Sequence, residues 1–267
     1  MIFPEFWWII LIAGAVGCSL GFVRFIWFMS VGYGMAMSFI GLALGILGIT
    51  RGASLPFLLL CAVIFIYGLR LGLFLLVREL KNAGYKKTLD EASGKAAGKM
   101  PFPVLISMWL MNTILYYMES CGLTYRLASG KAANADAFII IGLVISAAGV
   151  IIESVSDAQK SAQKKANPQK VAMKGLFKMC RCPNYFGEIL VWTGVFISGM
   201  PCYSVGQWIV AILGYICIVY IMFNGAKRLE TRQTKRCFKD PEYVEYSNTT
   251  PILIPFLPIY HLITWIQ

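Results

Sequence analysis

The chain has 267 residues, of which 58% are hydrophobic and 14% are charged, and its mean hydropathy is +0.68. Soluble domains carry about 25% charged residues, so this composition excludes an ordinary soluble domain. The formal net charge of +11 would suit nucleic-acid binding. However, the basic residues stand in the gaps between apolar stretches, as they do in the cytosolic loops of membrane proteins. We therefore predict a membrane protein without a nucleic-acid partner.

Apolar stretches recur along most of the chain, and a membrane-spanning helix needs about 20 apolar residues. The first stretch has Glu5 before it and Arg24 after it, whereas a cleaved signal peptide has its positive charge in front. We expect an uncleaved first span whose N-terminus is outside. The last apolar stretch, 251–266, contains three prolines and is expected in the membrane interface or against the bundle, because proline breaks helices. We predict an all-α, polytopic bundle of about seven transmembrane helices, with spans near 6–23, 27–49, 55–77, 101–121, 136–154, 188–203 and 206–224.

Three basic segments indicate the orientation. Residues 78–100, 156–187 and 225–250 hold six, seven and six lysines and arginines, and two predicted spans separate each segment from the next. All three are therefore expected as loops on one side, which the positive-inside rule makes the cytosol. The prediction is a single integral-membrane domain, 1–267, with a cytosolic C-terminus, in a bacterial inner membrane or the endoplasmic reticulum.

Ionisable residues within predicted spans are costly in a membrane, and of those present Arg70 and Glu188 mark a candidate site. The predicted topology places both near the cytosolic surface, at similar depth. Tyr67 shares a helix face with Arg70, and Asn184 shares one with Glu188, because residues three or four apart are neighbours on a helix. Two interpretations stay open: a structural ion pair between Arg70 and Glu188, or a reaction pocket that faces a cytosolic cofactor.

Basic residues near the cytosolic ends of the spans favour a phosphate-bearing ligand. Asp157, Lys160 and Lys164 follow one stripe of a helix that continues out of the fifth span. Further cations follow the third and seventh spans, namely Arg78, Lys81, Lys227, Arg228, Arg232 and Arg236. Such residues bind the phosphates of a cofactor or the headgroups of anionic lipids, and the pattern alone leaves both open.

The cysteines do not form a metal-binding pattern. Cys180 and Cys182 stand closer together than the two cysteines of a usual zinc pair, and His261 is the only histidine. The eight cysteines are therefore predicted to be free thiols, and no metal site is predicted.

One segment is specific enough to indicate a family. Residues 175–177 (GLF) and 181–188 (RCPNYFGE) resemble the GLF…RHPNYxGE signature of the steroid 5α-reductase-like superfamily, which is related to isoprenylcysteine methyltransferases and sterol reductases. Weaker similarities lie in 67–72 (YGLRLG) with Arg78, in 153–160, and in the tail motifs at 240–243 (DPEY) and 254–256 (IPF). The reductase-like region is thus about 67–256, and the first two spans lie outside it.

The resemblance implies a seven-span, NADPH-dependent reductase of a carbon–carbon double bond conjugated to a carbonyl, in a steroid-like or other lipid substrate. By this resemblance, Tyr67 and Glu188 would hold or protonate the carbonyl oxygen. This is chemically consistent, because hydride addition to the β carbon puts negative charge on that oxygen, and a donor aimed there stabilises the transition state. The residues expected to hold NADPH are Arg70, Arg78, Asp157, Lys160, Arg181, Asn184, Tyr185, Arg228 and Arg232.

Two departures from the family pattern bear on the substrate. Cys182 stands where the signature usually has histidine, and residues 229–232 (LETR) lack the histidine and tyrosine of steroid-specific reductases. A lipid enone is therefore a better expectation than a steroid. The alternatives are an S-adenosylmethionine-dependent methyltransferase of the isoprenylcysteine type, which shares the RHPxYxG core, and a non-catalytic lipid-binding relative. The pair of Asn184 and Glu188 favours the reductase.

Overall fold

The computed structural model describes residues 2–81 and 100–263, and these form helices joined by short connections, without a β-strand in either range. The helices are α1 (Trp7–Cys18), α2 (Val31–Thr50), α3 (Leu55–Lys81), α4 (Phe102–Glu119), α5 (Cys121–Ala128), α6 (Ala137–Ala166), α7 (Pro183–Gly199), α8 (Val205–Cys237) and α9 (Pro241–Thr249). Short 3₁₀ turns lie at Ser19–Phe22, Phe25–Met29, Lys131–Ala133, Gly175–Lys178 and Met200–Cys202. The predicted all-α class is therefore confirmed for the described residues.

Four helices, α2, α3, α6 and α8, are long and apolar enough to cross a membrane. The other predicted spans correspond to shorter helices: α1 has 12 residues, α4 has 18 and α7 has 17. Large apolar side chains such as Ile49, Val144 and Ile216 are exposed on the long helices, as lipid contact requires. The count of seven spans and the orientation of the termini stay predictions.

Two of the predicted basic segments contain long helical extensions, of which the one out of the fifth span was expected and the one out of the seventh was not. Helix α6 continues from the fifth predicted span to Ala166, and α8 continues from the seventh to Cys237. After Gly149, α6 contains no further glycine or proline, and the same is true of α8 after Gly225. Residues that interrupt helices are therefore absent from both extensions. The helix α9 begins at Pro241, and the carboxylate of Asp240 accepts a hydrogen bond from Glu242 N (3.1 Å) as its N-cap. Most of the remaining segment, 78–100, lies outside the described residues.

The chain divides into two compact units. The first comprises Met1–Val144 and Gly194–Tyr215, and the second comprises Ile145–Thr193 and Ile216–Gln267. In the first unit, α1 and α2 approach so closely that a methyl group at Gly17 would lie 2.3 Å from Ala36 N.

In the second unit, Val171, Cys237 and Tyr243 form a buried apolar cluster. Tyr246 fastens α9 beside it by donating a hydrogen bond to Phe177 O (2.7 Å). The segment after α9 packs inward through Ile252 and its neighbour Leu253, both buried. The first part of 251–266 therefore packs against the protein, which is one of the two places predicted for this segment.

Candidate functional site

Helices α2 and α3 of the first unit touch through their backbones. A methyl group at Gly34 would lie 2.5 Å from Gly72 N, and one at Gly68 would lie 2.4 Å from Gly34 O and 2.5 Å from Ser38 N. No side chain fits in that space, so glycine is required at both positions. Ser38 Oγ also donates a hydrogen bond to Phe65 O (2.9 Å). The two helices are thereby held in a fixed register.

Tyr67, the predicted proton donor, stands one residue before the contacting Gly68 and is fully buried. Its hydroxyl lies 3.1 Å from the hydroxyl of Tyr33, which in turn precedes Gly34. The Tyr33 ring meets the Tyr67 ring edge-on, with the ring planes at 80°, and packs on Tyr116 with ring centroids 5.1 Å apart. The glycine contact therefore brings two phenol groups from different helices together.

The other two predicted residues of the first unit follow Tyr67 along α3. Arg70 lies about one turn further and Arg78 about three turns further, and both are partly buried. The Arg78 guanidinium lies 5.2 Å from the centroid of the Phe74 ring, which is a cation–π contact. Their proposed role in holding a cofactor stays a prediction.

Glu79, a buried carboxylate at the end of α3, binds two residues of the segment between α1 and α2. It forms an ion pair with Arg24, and Trp27 Nε1 donates a hydrogen bond to its second oxygen (2.8 Å). The positive charge of Arg24, which served only to predict the topology, is therefore neutralised locally. Glu79 was missed, although an acidic residue next to Arg78 at the end of a span was a usable signal.

In the second unit, the GLF part of the signature forms a sharp turn against α6. Gly175 has a φ of +70°, and a methyl group there would lie 2.3 Å from Gln159 Oε1. The same oxygen accepts a hydrogen bond from Leu176 N (2.8 Å). One turn later, Gln163 Oε1 accepts one from Met173 N (3.0 Å). Two glutamines of the α6 extension therefore hold the approach to the signature, and the glycine is needed for both its φ and its size.

Arg181 lies in a buried polar network rather than on an open surface. Its Nη2 lies 2.6 Å from Glu230 Oε1, and the same guanidinium donates to the carbonyl of Tyr260. His261 Nδ1 lies 2.9 Å from that carboxylate oxygen, and Leu262 N donates to the other one (2.8 Å). The network ties the signature and the C-terminal segment to α8, and a cofactor contact by Arg181 stays a prediction.

The position that departs from the signature, Cys182, is an interior one. Burial raises the pKa of its thiol to about 12, against the opposing effect of the positive charges of Lys160 and Arg181. The thiol is therefore uncharged at physiological pH. All eight cysteines are free, and within 2–81 and 100–263 no three histidine, cysteine or acidic side chains are grouped to hold a metal ion.

Helix α7 begins at Pro183, a residue that suits the first position of a helix. The next residue, Asn184, has a buried side-chain oxygen for which the structure shows no hydrogen-bond partner. An unsatisfied buried acceptor such as the Asn184 oxygen is rare in proteins and calls for an explanation.

The ring of Tyr185 packs over Gly225 of α8. A methyl group at Gly225 would lie 3.2 Å from that ring.

Glu188 follows directly on a close contact between α6 and α7. A methyl group at Gly187 would lie 2.7 Å from Gly149 O and 2.8 Å from Glu153 N. Glu188 is buried, and so are Glu153 and Asp157 on α6. The second unit therefore contains three buried carboxyl groups on its two contacting helices.

Several cations of the second unit lie near one another on α6 and α8. The positive charges of Arg236 and Lys160 both act on Lys164. Arg228 and Arg232 are exposed and four residues apart on α8, so they share a face. An anion near Lys164 would relieve the repulsion that it experiences from Arg236 and Lys160.

The predicted site residues divide between the units. Tyr67, Arg70 and Arg78 belong to the first, and Asp157, Lys160, Arg181, Asn184, Tyr185, Glu188, Arg228 and Arg232 belong to the second. Tyr33 and Glu230 were missed. The sequence offered no charge-based signal for Tyr33, because α2 contains no Asp, Glu, Lys, Arg or His. Glu230 was noted only as part of a departure from the steroid-specific pattern.

Two known proteins are similar to this chain. The steroid 5-alpha-reductase DET2 of Arabidopsis thaliana is 27% identical over 166 residues, which are 60% of this chain and 59% of the relative. The 3-oxo-5-alpha-steroid 4-dehydrogenase 1 of Macaca fascicularis is 27% identical over 164 residues, 60% of this chain and 57% of the relative. The chain thus spans less than two thirds of the length of either relative. No solved structure matches the chain.

These similarities confirm the resemblance to the steroid 5α-reductase-like superfamily. A family profile described as "protein of unknown function (DUF1295)" matches residues 20–250. That match covers most of the chain and includes both Tyr67 and the signature at 175–188. The chain therefore belongs to the DUF1295 family, which is steroid 5-alpha-reductase-like.

Proposed function

We propose that the protein is a membrane-embedded, NADPH-dependent reductase of a carbon–carbon double bond conjugated to a carbonyl, with a steroid-like or other lipid as substrate. The observation that carries the proposal is the local structure of the signature. Asn184, which has an unsatisfied buried oxygen, and the buried Glu188 lie four residues apart on α7. The similarity to two proteins named as steroid reductases supports the same reaction class.

The residues of the second unit suit a phosphate-bearing nucleotide. Asn184 Oδ1 is an acceptor that still needs a donor, and nucleotide amides and ribose hydroxyls supply such donors. Lys160, Arg228 and Arg232 supply positive charge for phosphates. Asp157 offers a hydrogen-bond acceptor three residues before Lys160 on α6, and Tyr185 offers an aromatic surface next to Asn184 on α7. The residue set therefore fits NADPH, whose reduced nicotinamide supplies a hydride when bound.

Tyr67 is proposed to donate its hydroxyl proton toward the carbonyl oxygen of the enone. As the β carbon gains a hydride, the π pair of the carbon–carbon double bond forms a double bond between the α carbon and the carbonyl carbon. The π pair of the carbonyl group moves to its oxygen, and an enolate develops. A donor already aimed at the oxygen stabilises the enolate and cannot be replaced by water in a buried place. The proton from Tyr67 completes an enol. The enol converts to the saturated carbonyl compound when its α carbon takes up a proton from solvent and its hydroxyl proton returns to the Tyr67 oxygen.

Glu188 is proposed to assist as an uncharged acid. Glu188 is buried at the beginning of an apolar helix, and in its proposed state the carboxyl group carries a proton. In that state it donates a hydrogen bond, as general acids do. Variants of Glu188 and of Tyr67 can test the two roles separately, because the residues lie on different helices, α7 and α3.

A ligand-stabilisation experiment tests the cofactor class. Protein purified in detergent is expected to unfold at a higher temperature with NADPH, because a ligand at about 100 times its Kd stabilises by about 2.7 kcal/mol. S-adenosylmethionine should give no such increase. The Arg228→Ala/Arg232→Ala double variant should lose most of the NADPH effect, whereas Lys239→Ala, an exposed control beyond α8, should keep it. Stabilisation by S-adenosylmethionine alone would point to a methyltransferase, and a response to neither ligand would point to a non-catalytic lipid-binding protein.

A further inference from the structure

Tyr33, on a helix that contains no acidic residue, is directly connected to the proposed proton donor. Its hydroxyl lies 3.1 Å from that of Tyr67, and the two side chains are buried. A separation of 3.1 Å between two oxygens is a hydrogen bond. One phenol must donate and the other must accept, and the geometry alone allows either direction.

The direction follows from what Tyr67 is proposed to do. A phenol has one proton, so Tyr67 cannot give it to a carbonyl oxygen and to Tyr33 at the same time. The bond between the two tyrosines persists during the reaction only if Tyr33 donates and the Tyr67 oxygen accepts. A hydrogen bond received by Tyr67 also stabilises the negative charge that its oxygen gains as the proton leaves.

The surroundings of Tyr33 hold its ring in place. Its ring packs on Tyr116, with centroids 5.1 Å apart. Tyr116 is fixed in turn, because its hydroxyl donates to Phe28 O (2.6 Å). The close backbone contact at Gly34 and Gly68, each one residue after the tyrosine concerned, fixes the register of the two helices that carry the hydroxyls.

We infer that Tyr33 is a positioning residue of the reductase: it donates a hydrogen bond to the Tyr67 oxygen, directs the Tyr67 proton toward the substrate carbonyl and stabilises the charge left behind. The inference rests on the proposed function and adds to it a residue outside the reductase-like region predicted from the sequence. It makes α2 part of the active machinery.

Removal of one oxygen atom tests this role. Tyr33→Phe keeps the ring and its packing, and it should lower kcat for NADPH-dependent enone reduction about 10- to 100-fold. KM for the enone should change by less than about threefold, since the group acts in the transition state. The matched control is Tyr117→Phe, which deletes a buried hydroxyl for which the structure shows no hydrogen-bond partner, and it should keep the parent kcat.

A double-mutant cycle separates positioning from a structural effect. In a Tyr67→Phe background, Tyr33→Phe should change the residual rate by less than about twofold, because the residue acts only through the Tyr67 hydroxyl. Unchanged kcat in the single variant, or an equal loss in both backgrounds, would overturn the inference. Thermal unfolding of each variant shows whether a loss of rate reflects loss of fold, and a variant that lost rate only through unfolding would also count against it. A parent protein without enone reduction would instead overturn the proposed function, so the two failures are distinguishable.

Discussion

Arg181 and Glu230 form a buried ion pair in which Nη2 lies 2.6 Å from Oε1, and the two side chains are 2% and 0% exposed. His261 and the backbone N–H of Leu262 complete the coordination of the carboxylate. The arginine of the signature thus has a structural partner 49 residues away on α8. Because a buried charge that loses its partner is strongly destabilising, this pair should govern the stability of the second unit.

The Glu230→Gln substitution tests that expectation. It keeps the shape of the side chain but leaves the Arg181 charge without compensation, which should cost about 3–5 kcal/mol. Thermal unfolding in detergent should then show a Tm lower by several degrees. Glu242→Gln is the control, since Glu242 pairs with Lys170 at 2.5 Å on an exposed surface, where such pairs contribute about 0–1 kcal/mol. Equal Tm values for the two variants would show that the buried pair has no special weight.

A second prediction concerns the contact between α2 and α3. Gly34→Ala would place a methyl group 2.5 Å from Gly72 N, and overpacking of this kind costs about 1–3 kcal/mol. Gly45→Ala on the same helix is the matched control, because its methyl group would meet only Cys61 Cβ at 3.7 Å. Thermal unfolding should show a lower Tm for the first variant and an unchanged or higher Tm for the second. A Tm unaffected by Gly34→Ala would contradict the close approach on which the Tyr33–Tyr67 bond depends.

Much of the fold was predictable because hydropathy and charge act locally. The apolar runs predicted the helices, and the charged stripe that begins at Asp157 predicted that α6 continues beyond its apolar part, which the structure confirms. The length of α8 was underestimated, because a change to charged residues ends a membrane span without ending a helix. Helix periodicity does not respond to that change.

The partners of the candidate residues were not predictable, because they depend on packing between distant segments. Tyr33 and Tyr67 are 34 residues apart and meet through glycines that have no side chain to reveal the contact. The motif indicated that Arg181 matters but not that its partner is Glu230. Local sequence patterns indicate which face of a helix is buried. Which residues of two helices contact each other depends on the register between the helices, and local patterns do not contain that information.

Asn184 provides a prediction that separates a ligand contact from a structural role. Asn184→Leu removes a buried oxygen that has no hydrogen-bond partner in the structure, so the ligand-free protein should be no less stable. The increase in Tm produced by NADPH should nevertheless fall markedly. Thermal unfolding with and without NADPH measures both quantities. A lower Tm without ligand, together with an unchanged NADPH effect, would assign the residue to the fold instead.

The most direct test of the proposed reductase is the oxidation of NADPH by purified protein, followed with a panel of lipid enones and with product analysis. We expect oxidation only when an enone is present, with one saturated carbonyl product for each NADPH consumed. Tyr67→Phe should lower kcat about 10²- to 10³-fold, as the loss of a transition-state donor does, and Glu188→Gln should also lower it. Absence of enone-dependent oxidation in the parent protein, or unchanged turnover in both variants, would contradict the proposal.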